Sequence, residues 1–310
     1  MNYSDWQEIF RSDWPELWPR LGEAARTRER HFRRQVSFCV ILNAKSGACS
    51  EDCAFCSQSA RAQSGVPHYP VLPKAKLVAA AQNAAAAGAA RFSLVTSGRG
   101  VLARPEQGAI LEAVAAIRAA VPINVCVSLG IVDPGFLREL KAAGVYRFHH
   151  NLEAAPSFFP QICSTHSFGD RVATIKAAKD AGLAVCAGGI LGLGESVAQR
   201  WDLAQALQSL EVEAIPLNFL HPLPGTPLAD RPLLAPLTAL QAVLAFRLLF
   251  PRRSLIICGG RQVTLRGLAP LVFAAGADAL MTGDYLTTKG RLPAEDRQLV
   301  ADLGLELVQT

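Results

Sequence analysis

The chain has 310 residues, half of them hydrophobic and 18% charged, with 8 cysteines and a formal net charge of +5. A chain of this size buries a core without disulfide staples, its cysteine density is below that of a disulfide scaffold, and its hydrophobic share excludes a disordered polymer. The cysteines are therefore expected to be reduced, serving packing, metal binding or redox chemistry. The opening run MNYSDWQEIFRSDWPELW carries acids and tryptophans in place of the basic-then-apolar order of a secretion signal. No uncharged apolar run approaches a membrane span. These features predict a cytoplasmic protein with no membrane partner. The basic run RTRERHFRR at 26–34 reads as a solvated helix face and not as a nucleic-acid surface.

Residues 1–35 are expected to form an N-terminal helical extension, followed by one domain over 36–310. Within that domain, β-branched and apolar runs predict strands at 36–43, 91–97, 124–130, 145–153, 184–191, 214–220, 254–260 and 278–283. Helical patterns fall at 74–87, 105–120, 134–143, 170–181, 196–210, 237–250, 266–275 and 294–303. Gly88, Gly144, Gly182 and Gly276 sit just past helix ends, as C-cap residues should. Alternating strands and helices imply a parallel sheet, and eight such units match an α/β fold of the (β/α)8 TIM-barrel type. A doubly wound open sheet is the rival, weakened by the lack of a GxGxxG turn after a first strand. Two loops on the strand-to-helix side are long, at 44–73 and 221–236.

The first long loop holds Cys49, Cys53 and Cys56 in the run GACSEDCAFCSQS. Three thiols at C-x3-C-x2-C spacing cannot share one straight helix face, but a tight loop can wrap them around a small cluster. Thiolates are soft ligands suited to iron–sulfur clusters. A 4Fe–4S cube on three cysteines keeps one iron open, and an open position is where a substrate or cosubstrate binds. A structural zinc would want a fourth ligand nearby, and His68 is the only local candidate.

This loop resembles that of the radical S-adenosylmethionine (SAM) enzymes. The ordered set NAKSGACSEDCAFCSQSAR, HHNLE, THSFGDRV, GGILGLGE, IPLNFL with PLPGTPL, GGR and GDYLTT resembles the biotin synthase family over roughly residues 30–307. The resemblance implies reductive cleavage of SAM, hydrogen abstraction from dethiobiotin, and sulfur insertion to close the thiophane ring. It implies that Cys49, Cys53 and Cys56 hold the 4Fe–4S cluster. Phe55, Asn151, Glu153, Arg171 and Ile190 then line SAM, with Glu153 standing where aspartate is frequent. Lys45, Asn218, Thr287 and Thr288 match positions that contact dethiobiotin. It also implies an electron donor such as flavodoxin or ferredoxin, and a homodimer.

The family carries an auxiliary 2Fe–2S cluster as sulfur donor, ligated by three cysteines and an arginine. Cys126, Cys186 and Arg261 match that set, but Ser93 replaces the third cysteine. The resemblance thus points to a variant auxiliary cluster, 2Fe–2S or larger, with Cys39 or Cys163 as replacement ligand and Cys258 undecided between ligation and packing. Two other functions stay open at this point. One is a different product from the same barrel type, as in hydrogenase maturases or methylornithine synthases. The other is a non-catalytic iron–sulfur sensor.

Overall fold

A computed structural model describes residues 1–308; the expected domain end at 310 lies outside the described residues. The chain opens with α1 (Tyr3–Arg11) and α2 (Trp14–Phe32), each started by a reciprocal capping box, at Asn2 with Asp5 and at Asp13 with Glu16. Trp6 of α1 is fully buried against Trp201 and Phe246, and its indole N–H donates to the Val197 carbonyl at 3.2 Å. The basic run on α2 is not uniformly solvated. Arg28 is buried and donates to the carbonyls of Ala277, Arg33 and Gln35, which ties the helix to the base of the barrel. The other basic residues of the run, Arg26, Arg30, His31, Arg33 and Arg34, are exposed.

The barrel follows as β1 (Gln35–Lys45), α3 (Lys74–Ala86), β2 (Arg91–Thr96), α4 (Arg104–Ala120), β3 (Asn124–Ser128), α5 (Pro134–Ala142) and β4 (Arg147–His149). It continues with α6 (Phe168–Asp180), β5 (Ala184–Cys186), β6 (Gly189–Leu191), α7 (Val197–Ser209), β7 (Ala214–Phe219), α8 (Pro236–Leu249) and β8 (Ser254–Ile257). It ends with α9 (Arg261–Leu265), α10 (Leu271–Ala274), β9 (Ala279–Met281), α11 (Pro293–Asp302) and β10 (Glu306–Val308). All pairings between these strands are parallel, and β9 pairs back onto β1 (Ser37 with Ala279) to close a (β/α)8 barrel, β5 and β6 sharing one stave. β10 adds outside the barrel on β1, an addition the strand pattern did not predict.

Two departures from the predicted elements have local causes. The stave expected over 184–191 breaks into β5 and β6 because Gly188 approaches β7 so closely that a Cβ there would lie 1.9 Å from the Pro216 carbonyl oxygen. The helix expected over 266–275 is interrupted before Pro270, which cannot donate to a continuing helix.

The cluster that locks the base of the barrel is Arg247, a fully buried residue of α8. Its guanidinium pairs with Asp278 at 2.6 Å and donates to the carbonyls of Gly276, Phe250, Pro251 and Arg253. Asp278 in turn accepts from the Leu255 amide and the Ser254 hydroxyl, so one ion pair holds α8, β8 and the entry to β9. Arg247→Met should cost about 3–5 kcal/mol, because Asp278 is left buried and unpaired. Urea unfolding of the two proteins measures this; a loss under about 1 kcal/mol, the size of an exposed pair, would contradict it.

Candidate active site

The C-x3-C-x2-C loop leaves β1 at the C-terminal mouth of the barrel, where this fold carries its chemistry. Gln58 pins its entry by accepting from the Gly47 amide at 3.0 Å and the Ser46 hydroxyl at 3.1 Å. Its middle is clasped by the segment after β4. Asp52 accepts from the Ser164 amide at 2.8 Å and the Ser164 hydroxyl at 2.6 Å, and these bonds hold its carboxyl well below the usual carboxylate range. The Ala54 amide donates to the Ile162 carbonyl at 2.8 Å. Glu51 meets His166 Nδ1 at 2.5 Å, while Arg171 Nε donates to His166 Nε2 at 3.1 Å. Because the arginine can only donate, Nε2 accepts and the proton sits on Nδ1, facing Glu51. The THSFGDRV motif therefore buttresses the cysteine loop. Burial pushes the Cys56 thiol up to about 11.

Cys163 belongs to this clasp. Its sulfur lies 3.8 Å from that of Cys53, and it does not line the barrel cavity. The expectation that Cys163 reaches the auxiliary site is corrected: the segment after β4 turns toward the cysteine loop and carries Cys163 with it. Cys53, Cys163 and His166 could together hold a metal ion.

Below the loop the barrel encloses a cavity of about 320 Å³, within the range of small-molecule sites. Phe55, Cys56, Asn151, Glu153 and Ile190 line its upper part. Asn151 Oδ1 accepts from the Gly188 amide at 3.0 Å, and its Nδ2 donates to Glu153 at 3.2 Å. Glu153 adopts φ 66, a left-handed backbone that costs about 1–2 kcal/mol for a residue with a Cβ. That conformation aims its carboxylate into the cavity. Burial raises its pKa, with Arg171 opposing. Arg171 itself stands behind the wall and donates to the Asn151 carbonyl at 2.9 Å.

The expected dethiobiotin contacts divide. Asn218, Thr287 and Thr288 line the cavity. Asn218 Oδ1 accepts from the Gly259 amide at 3.0 Å, and Ser57 meets Thr287 at 2.8 Å, so the DYLTT segment is held against the cysteine loop. Lys45 does not reach the cavity. A shift in register between Asn43 and Lys45 sends it outward, where its ammonium pairs with Glu106 at 2.7 Å. His149, which the sequence reading did not assign, does line the cavity, and burial lowers its pKa to about 4, so it faces the cavity neutral.

The floor is rich in sulfur. Cys39, Cys126, Cys186 and Cys258 all line the same cavity, from the first, third, fifth and seventh staves. Burial pushes the Cys126 and Cys186 thiols up to about 12 and raises those of Cys39 and Cys258. Ser93 is buried beside Cys126, its neighbour in register. Arg261 is not part of this floor, which corrects the expectation drawn from the GGR motif. β8 ends at Ile257, the chain turns at Gly260 (φ 77), and Arg261 starts α9 with its guanidinium on buried Asp296. The inward residue of β8 at this depth is Ile256. A four-thiol set fits an iron–sulfur cluster, and the unsatisfied buried nitrogens of Arg91 and Arg147 beside it fit an anionic group there.

Residues 44–207 match the model of the Radical SAM superfamily, and residues 216–306 match the Biotin and Thiamin Synthesis associated domain. The chain is 50% identical to the biotin synthase of Trichlorobacter lovleyi over 93% of this chain and 87% of that protein. It is likewise 50% identical to the biotin synthase of Desulforudis audaxviator, over 92% and 87%. Among solved structures it resembles methylornithine synthase (TM-score 0.86, 17% identity, 99% of this chain and 94% of that one). It also resembles the FeFe-hydrogenase maturase of Carboxydothermus hydrogenoformans (TM-score 0.84, 16% identity, 99% and 76%). At such identities the structural likeness speaks for the barrel fold alone.

Arg261 and Cys258 make opposite predictions. Arg261→Met should cost about 1–3 kcal/mol, because buried Asp296 loses one cation but keeps the Thr282 hydroxyl and Arg291 at 3.8 Å, yet leave iron and sulfide per folded chain unchanged. Cys258→Ala should lower both contents. Anaerobic reconstitution with elemental analysis separates the two; iron lost with Arg261 and kept without Cys258 would reverse the assignment.

Proposed function

From the premise that this chain belongs to the biotin synthase family of radical SAM enzymes, we propose that SAM binds at the barrel mouth and dethiobiotin in the barrel interior, above a ring of four cysteines. The enzyme is a sulfurtransferase of biotin synthesis. When bound, a 4Fe–4S cluster would supply the electron for SAM cleavage, and an auxiliary iron–sulfur cluster the sulfur.

Cys49, Cys53 and Cys56 would hold the first cluster, and Cys39, Cys126, Cys186 and Cys258 the second. Glu153 and Asn151 form an acceptor and a donor at hydrogen-bond distance, suited to the paired hydroxyls of a ribose. Arg171 stands behind them, 3.8 Å from Glu153, and opposes the upward push of burial on that carboxyl. Phe55 and Ile190 supply apolar walls that exclude water. Asn218 faces the cavity from β7 as an amide partner for a cyclic urea, and neutral His149 offers a second polar contact without charge. Thr287 and Thr288 place hydroxyls at the mouth for a carboxylate, a task from which the Lys45–Glu106 pair withdraws the lysine. The observation that carries this reading is one cavity with a three-cysteine loop at its mouth and four more cysteines on its floor.

Residues 1–35 serve as a packed extension and 36–310 as the catalytic unit. Among the described residues no helix is long and apolar enough to cross a membrane. We place the enzyme in the cytoplasm, as a homodimer served by flavodoxin or ferredoxin, on the family resemblance.

Anaerobic turnover with reductant, SAM and dethiobiotin should yield biotin and 5′-deoxyadenosine. Glu153→Ala should weaken SAM binding roughly 10–100-fold, the loss of a charge-assisted hydrogen bond. Formation of 5′-deoxyadenosine without biotin would instead favour a different product of the same barrel type.

A further inference from the structure

Two arginines enter the barrel interior from its N-terminal end, Arg91 at the start of β2 and Arg147 at the start of β4. Neither has a carboxylate within salt-bridge distance among the described residues. Arg91 donates to the Ser37 hydroxyl at 2.5 Å, but its Nε is buried without a partner. Arg147 is less satisfied still. Its Nε and Nη1 are both buried and unpartnered, and its guanidinium lies 5.2 Å from the centre of the Tyr146 ring. The other buried arginines differ: Arg247 and Arg261 have carboxylates, Arg200 has Glu195, and Arg28 has three carbonyls. Native interiors rarely leave guanidinium groups unpaired, because a desolvated cation without an anion is costly.

The strand register sets both arginines beside the cysteines. Arg91 lies directly beside Cys39, and Arg147 directly beside Cys126. Cys186 follows on the stave next to Arg147, facing His149. The remaining carboxylate of the cavity, Glu153, is at the far end with Arg171.

We infer that Arg147 and Arg91 form a guanidinium wall for the auxiliary site, giving counter-charge and hydrogen bonds to an anionic iron–sulfur cluster on Cys39, Cys126, Cys186 and Cys258. The inference rests on the four-cysteine reading above. Iron–sulfur clusters on four thiolates carry net negative charge, and their potentials rise with nearby positive charge and with hydrogen bonds to sulfur. Arginine suits the task because its planar fork presents several donors at once and stays charged when buried. Both are positioning residues: they act on the cluster's charge and sulfur atoms and hold no iron.

The test uses the full chain with Cys49, Cys53 and Cys56 changed to serine, so that iron reports the floor alone. Into it go Arg147→Met, Arg147→Lys and Arg91→Gln, each studied cluster-free and after anaerobic reconstitution. Cluster-free Arg147→Met should melt at a higher temperature than its parent, since an unpaired buried cation is gone. The reconstituted Arg147→Met and Arg91→Gln proteins should show a more negative cluster potential in a redox titration followed by absorption and EPR. Arg147→Lys, which keeps the charge, should restore most of that shift. If iron is bound and neither potential nor cluster-free melting responds as stated, the guanidinium wall is wrong while the cysteine ring stands. If the parent holds no iron, the ring itself fails, and the wall with it.

Discussion

A closed parallel barrel has one interior, and every second side chain of every stave must face it. The rest of this molecule depends on that constraint. Residues two apart on each strand line the same cavity: Cys39 and Ile41, Arg91 and Ser93, Cys126 and Ser128, Arg147 and His149, Ile256 and Cys258. Because alternate staves supply the same level, cysteines distant in sequence converge without any local motif. The same closure leaves the C-terminal mouth as the place where a long loop can bring three more cysteines over the cavity. A single topological fact thus separates two sulfur-rich sites and leaves a substrate-sized space between them.

Electrostatics give the cavity a direction. At the mouth, Glu51 with His166 and Glu153 with Arg171 are partnered, and the Asp52 clasp keeps the cysteine loop in place before any ligand arrives. On the floor, thiols held protonated by burial surround guanidinium groups that have no anion. Metal binding deprotonates thiols outright, so loading the floor turns an under-satisfied cationic pocket into a balanced one. The strained φ of Glu153 fits the same scheme, a local cost kept where a carboxylate must face the ligand.

Much of this was legible in the sequence because it is periodic or local. The staves, the helix-ending glycines and the cysteine loop follow from side-chain alternation, capping and spacing. What escaped was set by turns and by partners distant in the chain. Arg261 looked like a ligand from its motif, but the left-handed turn at Gly260 changes phase between strand and helix and hands it to Asp296. Cys163 was drawn to the clasp by the partners of Asp52, more than a hundred residues earlier. Lys45 left the cavity at an irregularity in β1 that no alternation pattern announces. Arg28 was expected on a solvated helix face, and Arg91 and Arg147 carried no reading, since burial of an arginine is decided by what surrounds it and not by its neighbours in sequence.

The central claim is that one barrel holds two iron sites facing one cavity. The most direct measurement is anomalous X-ray scattering at the iron edge from crystals of the anaerobically reconstituted protein. The account predicts two iron peaks, one at Cys49, Cys53 and Cys56 and one among Cys39, Cys126, Cys186 and Cys258. A single peak at the mouth, or a second one bound through Cys163 or Arg261, would contradict it.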